Sequence, residues 1–390
     1  MLTLGVEEEF LLTDPRTGVP NPRSEAVLDQ LEDEHRTHIV QELLYTQLET
    51  VSGVHGALGD LRADLMEARV TLNDAGARCG VRVLSVGAPI VIDTEPPPVV
   101  RSARSTRIVE RFSGAIRGYQ CCGCHVHVGV ADRDLAVGVV NHLRPWLPTL
   151  VALGANSPFS AGRDSGYCSW RIVEQSRFPG FGLPPFTRSA REYDDTVARL
   201  VECGVLVDDH MSFWLARPSV AYPTVEVRAA DAAATVDDAV LQAALSRALV
   251  GTALRDLGAG IEASPIDDQV GAAAVWAAAR HGLSGPGIDA VRERSVPATQ
   301  LLTQMLAHVR EALDVAGDSR LVRELLAARY RAGSGAERQR EAARTGMNSL
   351  LSMVADQTAP GNEPERFATF APGYCSGTEQ PRRDGGVWCG

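Results

Sequence analysis

The chain has 390 residues, of which 45% are hydrophobic, 22% charged and 5% aromatic, which excludes the collagenous, disordered and disulfide-scaffold classes. A formal charge of −11 argues against nucleic acid or an anionic membrane as the main partner. No apolar run reaches the roughly 18 residues of a membrane span, and the first residues lack the basic and then apolar stretch of a secretory signal.

Residues 3–12 alternate as a strand, with Leu4, Val6, Phe10 and Leu12 on one face and Glu7 and Glu9 on the other. Asp14 to Gly18 reads as a turn. Leu58, Leu61, Leu65, Val70 and Leu72 predict a helix over about 55–78. A buried strand is expected from Val81 to Ile92, helices near 104–118 and 134–153, and a strand from Cys124 to Val130 between them. A loop rich in Gly, Pro and Ser follows over about 156–188, then a helix near 190–203 and a short strand from Thr224 to Arg228. Residues 236–355 read as almost wholly helical and the last 35 as an extended tail. Strands first and helices last predict an α+β fold, an antiparallel sheet with helices on one side. A sheet face carrying Glu and His cannot be a hydrophobic core face, so it must meet a partner, a metal or a water-filled cleft.

All 38 basic residues are arginine. That removes Schiff-base chemistry, the Walker A loop and the kinase strand lysine. Any nucleotide phosphates would have to be held by metal ions, arginines and backbone amides. The eight cysteines show no framework and read as cytosolic thiols.

Glu7 and Glu9, two apart on a strand, project about 7 Å from each other, a spacing that suits oxygen-loving Mg²⁺ or Mn²⁺ as well as a solvated face. His125 and His127 share a face in Gly123-Cys-His-Val-His-Val-Gly129. Cys121, Cys122 and Cys124 make zinc a competitor there, although Cys122 and Cys124 fall on the opposite face and no second zinc-spaced pair exists. Glu226 and Arg228 share a face of Pro223-Thr-Val-Glu-Val-Arg-Ala-Ala-Asp231, as a metal ligand beside an anion holder or as a salt bridge. Glu42 and Glu49 share a face on a helix but need a bulge to do so on one strand. In the loop, Arg171 and Arg177 could grip carboxylate or phosphate. Further on, Gly333-Ser-Gly-Ala-Glu-Arg338-Gln-Arg340 offers a hinge and two arginines.

Together these motifs resemble the glutamine synthetase-like superfamily. They are most similar to the bacterial glutamate–cysteine ligase type 2 family of carboxylate–amine ligases. The resemblance is carried by Gly5-Val-Glu-Glu-Glu-Phe10, His125-Val-His-Val-Gly129, Asn156-Ser-Pro-Phe159, Gly166-Tyr-Cys-Ser-Trp-Arg171, Arg217-Pro-Ser219, Tyr222-Pro-Thr-Val-Glu-Val-Arg228 and Gly333-Ser-Gly-Ala-Glu-Arg-Gln-Arg340. It runs from residue 3 to about 355 and implies a catalytic domain over 1–355 with a C-terminal extension over 356–390.

The resemblance implies a curved antiparallel sheet forming a funnel, with ATP and an acid substrate entering from opposite ends. It assigns Glu7, Glu9, Glu42, Glu49, His125 and Glu226 to Mg²⁺ or Mn²⁺. It puts Arg228, His127 and Arg171 at the reacting centre and Arg171, Arg217, Arg228 and Arg338 on nucleotide or substrate. The expected reaction is ATP-dependent amide formation through an acyl phosphate in the cytoplasm, because an unactivated carboxylate has no usable leaving group. Its partners would be a small-molecule carboxylate, glutamate or another amino acid, and an amine acceptor, with a homodimer left open. A phosphotransferase of the same superfold and a non-catalytic nucleotide- or metal-binding homologue are the alternatives. Gln175 and Ser160 stand where the family often has aromatic residues, which puts its usual substrate in question.

Overall fold

The computed structural model describes residues 2–359 apart from residue 94. Its centre is a seven-stranded sheet of β1 (Leu4–Thr13), β2 (Ile39–Gln41), β3 (Gln47–Val51), β4 (Arg82–Leu84), β5 (Gly123–Gly129), β6 (Ala216–Pro218) and β7 (Thr224–Asp231). The order is β6-β7-β5-β1-β3-β2, with β4 beside the end of β1. Every pairing in it is antiparallel, so neighbouring side chains in register share a face.

On one face Leu4, Val6, Val126, Val128, Val225 and Val227 are buried against helices. The central helix, α4 (Val236–Gly258), starts at Thr235, whose hydroxyl accepts from the Asp238 amide. It is buried along most of its length, because α1 (Leu58–Arg78), α2 (Arg133–Leu143) and Ala298–Ala316 surround it. This is the α+β layering expected from the sequence.

Glu8 follows the alternation of β1 and so carries a carboxylate into the core. It lies on the core face, fully buried, where Arg69 of α1 grips it through Nε at 3.0 Å and Nη2 at 2.6 Å. The same Nη2 donates to the Ala233 carbonyl at 2.7 Å. The bidentate geometry compensates a charge that could not otherwise stay in the core.

Several boundaries differ from the expectation. The helix predicted over 134–153 is two, α2 and α3 (Leu147–Gly154), because Pro145 has no amide N–H to carry the hydrogen-bond ladder on. The predicted strand 81–92 pairs only over β4. Beyond it the Ser85 amide is taken by the Thr358 hydroxyl at 2.8 Å, and the chain leaves the ladder. A hairpin of Pro286–Asp289 and Arg294–Pro297 interrupts the predicted helical block. The helix Met347–Thr358 runs through the expected boundary at 355, and the rest of the expected extension, from residue 360, lies outside the described residues.

Candidate active site

The polar face of the sheet floors a cleft of about 310 Å³. Register builds it: Glu7 lies opposite His125, Glu9 opposite Glu49, and Glu226 opposite both His127 and Arg217. Val40 pairs with Glu49, so Glu42, two residues after Val40, falls on the same face. Glu42 and Glu49 therefore meet without helix or bulge, because the chain reverses between them.

Among the described residues two groups bring metal-type donor atoms within 4.8 Å of one another: Glu7, His127 and Glu226, and Glu9, Glu42 and Glu49. The grouping puts His127, not His125, with Glu7 and Glu226. His127 Nδ1 lies 2.9 Å from the Thr224 hydroxyl. The tautomer that donates there leaves the Nε2 lone pair 3.2 Å from Glu7. His125 Nδ1 is 3.4 Å from Glu7 and 3.3 Å from Arg228. Nε2 of both imidazoles is buried without a hydrogen-bond partner. Five of the six grouped donors are carboxylates, the oxygen ligands that hard cations such as Mg²⁺ or Mn²⁺ prefer, so the residues fit the cation that the resemblance implies.

The electrostatics separate the two groups. Burial raises the Glu7 pKa, but the adjoining His125 and His127 imidazoles outweigh it and hold the carboxyl well below its usual range. Burial likewise opposes ionisation of Glu226, and Arg228 and Arg217 overcome it. Glu9 goes the other way, pushed up to about 8 by burial and then by Glu42. Glu49 is raised by burial and Glu42 as well. Burial and Arg228 push His125 down to about 4, so at neutral pH it is an uncharged imidazole able to act as a ligand.

Three arginines face these acids. Arg217 Nε donates to Glu226 at 2.6 Å, Arg228 also pairs with Glu226, and Arg171 reaches the Arg228 carbonyl at 3.4 Å. Gly123 makes room for Arg171 and His125: a Cβ there would sit 2.5 Å from Arg171 Nη2 and 2.7 Å from His125 Nε2. The other cleft wall is apolar, formed by Ile108, Ile116, Tyr119, Met211 and Phe213. These residues had no periodic signal and were missed; Tyr222, which in the sequence stood only as the start of a motif, meets the His127 ring edge-on at 5.7 Å.

Other sequence candidates lie elsewhere. Arg338, expected on nucleotide, pairs with Asp238 at 2.8 Å beside Arg329 and does not line the cleft; its motif is a helix start, with Ser334 and Glu337 forming a capping box. Arg340 binds Asp164, and Arg177 binds Glu174. Gln175 lines the cleft, 3.4 Å from the Tyr119 hydroxyl, whereas Ser160 sits in a small hairpin with Arg163 outside it. Cys121 lines the cleft, while Cys122 and Cys124 are buried. Burial pushes all three thiols up, away from the thiolate that zinc needs.

The fold is shared with two solved enzymes. It matches a glutamate–cysteine ligase of Francisella tularensis solved with AMP, with a TM-score of 0.68, 12% identity and coverage of 93% of this chain and 90% of that one. It also matches a bifunctional glutathione synthetase of Pasteurella multocida, with a TM-score of 0.63, 14% identity, and coverage of 93% and 52%. In sequence the chain is 50% identical over 365 residues to a protein of Saccharopolyspora erythraea provisionally named glutamate–cysteine ligase 2-2, covering 92% of this chain and 93% of that one. A provisional glutamate–cysteine ligase 2 of Salinispora arenicola is 42% identical over 362 residues, covering 92% and 96%. The chain belongs to glutamate-cysteine ligase family 2, whose sequence model matches residues 3–359, and it is an ATP-dependent ligase that forms C–N bonds.

Proposed function

We propose that this ligase joins the γ-carboxyl group of glutamate, or a close relative, to an amine through an acyl phosphate. The observation that carries this reading is the pair of carboxylate groups on one sheet face, flanked by Arg171, Arg217 and Arg228. With no lysine in the chain, these arginines, together with Arg104 at the cleft lining, are cations available to phosphate or substrate.

Glu9, Glu42 and Glu49 would hold one divalent cation, and Glu7, His127 and Glu226, with His125 adjacent, a second. Bound there, Mg²⁺ or Mn²⁺ supplies charge neutralisation on the phosphate oxygens. Arg228 and Arg217, anchored on Glu226, present guanidinium groups where negative charge grows on the transferred phosphoryl group. A carboxylate oxygen of the acid attacks the γ-phosphorus and the bond to the β-phosphate oxygen breaks. The amine nitrogen then attacks the acyl carbon, the C–O bond to phosphate breaks with its electron pair, and the departing phosphate takes up the proton that nitrogen loses.

The six described cysteines are free, in keeping with a reducing compartment, the cytoplasm, and no helix of the described residues is long and apolar enough to cross a membrane. A screen of ATP consumption across acid and amine pairs, with mass spectrometry of products, tests the reading. Phosphate release only with both partners, with a matching amide mass, is expected. A phosphorylated product without amide would replace it with a phosphotransferase.

A further inference from the structure

The buried carboxylate of Asp231 has no ion pair among the described residues, although it is only 1% exposed. It accepts three hydrogen bonds, all from neutral donors. Oδ2 takes the Asn156 amide at 2.8 Å and the Ser157 hydroxyl at 2.7 Å, and Oδ1 takes the Ser169 hydroxyl at 2.7 Å.

Both serines lead to the same place. Ser157 Oγ accepts from the Arg171 amide at 3.1 Å, and Ser169 caps the short helix Trp170–Gln175 that carries Arg171. Arg171 is itself 1% exposed; burial raises the Asp231 carboxyl above its ordinary range, and the positive charge of Arg171 pulls it back down. The carboxylate belongs to β7, three residues beyond Arg228 and past the bulge between Val227 and Ala230. Gly87 lies so close that a Cβ there would come within 2.5 Å of the carboxyl carbon, so the backbone on that side is shaped to the acid. Asn156 is fixed in turn by Gln339, which donates to it at 2.8 Å.

We propose that Asp231 is the positioning residue for Arg171: it fixes the start of that helix to β7 and supplies the negative charge that keeps the guanidinium aimed into the cleft. A neutral side chain could tether the loops. Only a carboxylate accepts three donors at once and also balances a buried guanidinium. The assignment rests on the proposed reading only in taking Arg171 as a group that grips substrate or nucleotide.

The test is a double-mutant cycle of Asp231→Asn and Arg171→Ala, read by calorimetric affinity for Mg·ATP and by KM for the acid found in the product screen. Whichever parameter Arg171→Ala worsens, by about tenfold or more, Asp231→Asn should worsen comparably, with the double variant no worse than Arg171→Ala. Ser157→Ala and Ser169→Ala, which leave the carboxylate in place, should each give a smaller change in that same parameter. They carry the test if Asp231→Asn does not fold. Normal affinity and KM in folded Asp231→Asn, independent multiplying effects, or an Arg171→Ala variant unchanged in both parameters would each overturn the assignment. The Mg·ATP arm remains decisive even if the screen yields no amide.

Discussion

Arg217 donates its Nε proton to Glu226 Oε2 at 2.6 Å, directly across the β6–β7 register. Glu226 pairs with Arg228 as well. A metal ligand on its own would be an uncompensated buried acid, and its removal would leave stability unchanged or raised. Here the carboxylate is compensated twice, so Glu226→Gln leaves two arginines underpaired. A fall in melting temperature is expected, corresponding to about 3–5 kcal/mol. Single-turnover phosphate release in the folded fraction should also drop by about 10² to 10³. Near-normal turnover by a folded variant would remove Glu226 from the site.

The acids on β1 and β3 make metal binding pH-dependent. In the metal-free protein burial and then Glu42 push Glu9 up to about 8 from 4.5. The stability this group contributes is full below about 4.5 and is lost as pH rises through 8. A cation reverses the sign, because its ligands must be ionised. Mn²⁺ or Mg²⁺ should therefore raise the melting temperature more near pH 8.5 than near pH 6, and calorimetry in two buffers should show proton release. Equal shifts at both pH values would contradict the assignment of Glu9, Glu42 and Glu49.

Glu8→Gln should destabilise the fold by about 3–5 kcal/mol, since Arg69 keeps its buried charge and loses its partner. Replacing both residues together, as Glu8→Leu with Arg69→Met, should recover much of that loss. Chemical denaturation of the two variants checks this, and an equal loss in single and double variants would count against it.

The cysteines should be dispensable for chemistry. Burial holds the thiols of Cys121, Cys122 and Cys124 well above their ordinary range, so they should resist alkylation at neutral pH. Replacing all three by Ala, which suits the apolar surroundings of Cys124 better than Ser, should leave kcat within about tenfold, or roughly 1.4 kcal/mol in barrier. Activity should also survive removal of zinc. A folded but inactive triple variant, or tightly bound stoichiometric zinc, would require a different centre.

Period-two alternation alone assigned Glu7, Glu9, His125, His127, Glu226 and Arg228 to polar strand faces, because the pleat leaves no choice of direction. The same rule needed a partner to place Glu8: it set Glu8 opposite Glu7 and Glu9, but only Arg69, 61 residues away, made a buried carboxylate tolerable. Which atoms meet was decided by register. Pairing of Glu226 with His127 brought that carboxylate to the imidazole facing Glu7, and the reversal between β2 and β3 brought Glu42 to Glu49. Arg338 and Asp231 show the limit from opposite sides. Both looked like members of chemical motifs, yet one closes an ion pair away from the cleft, and the other ties together segments 62–75 residues distant. Local patterns report the direction of a side chain. The partners that neutralise a buried charge come from across the fold, and only the tertiary structure supplies them.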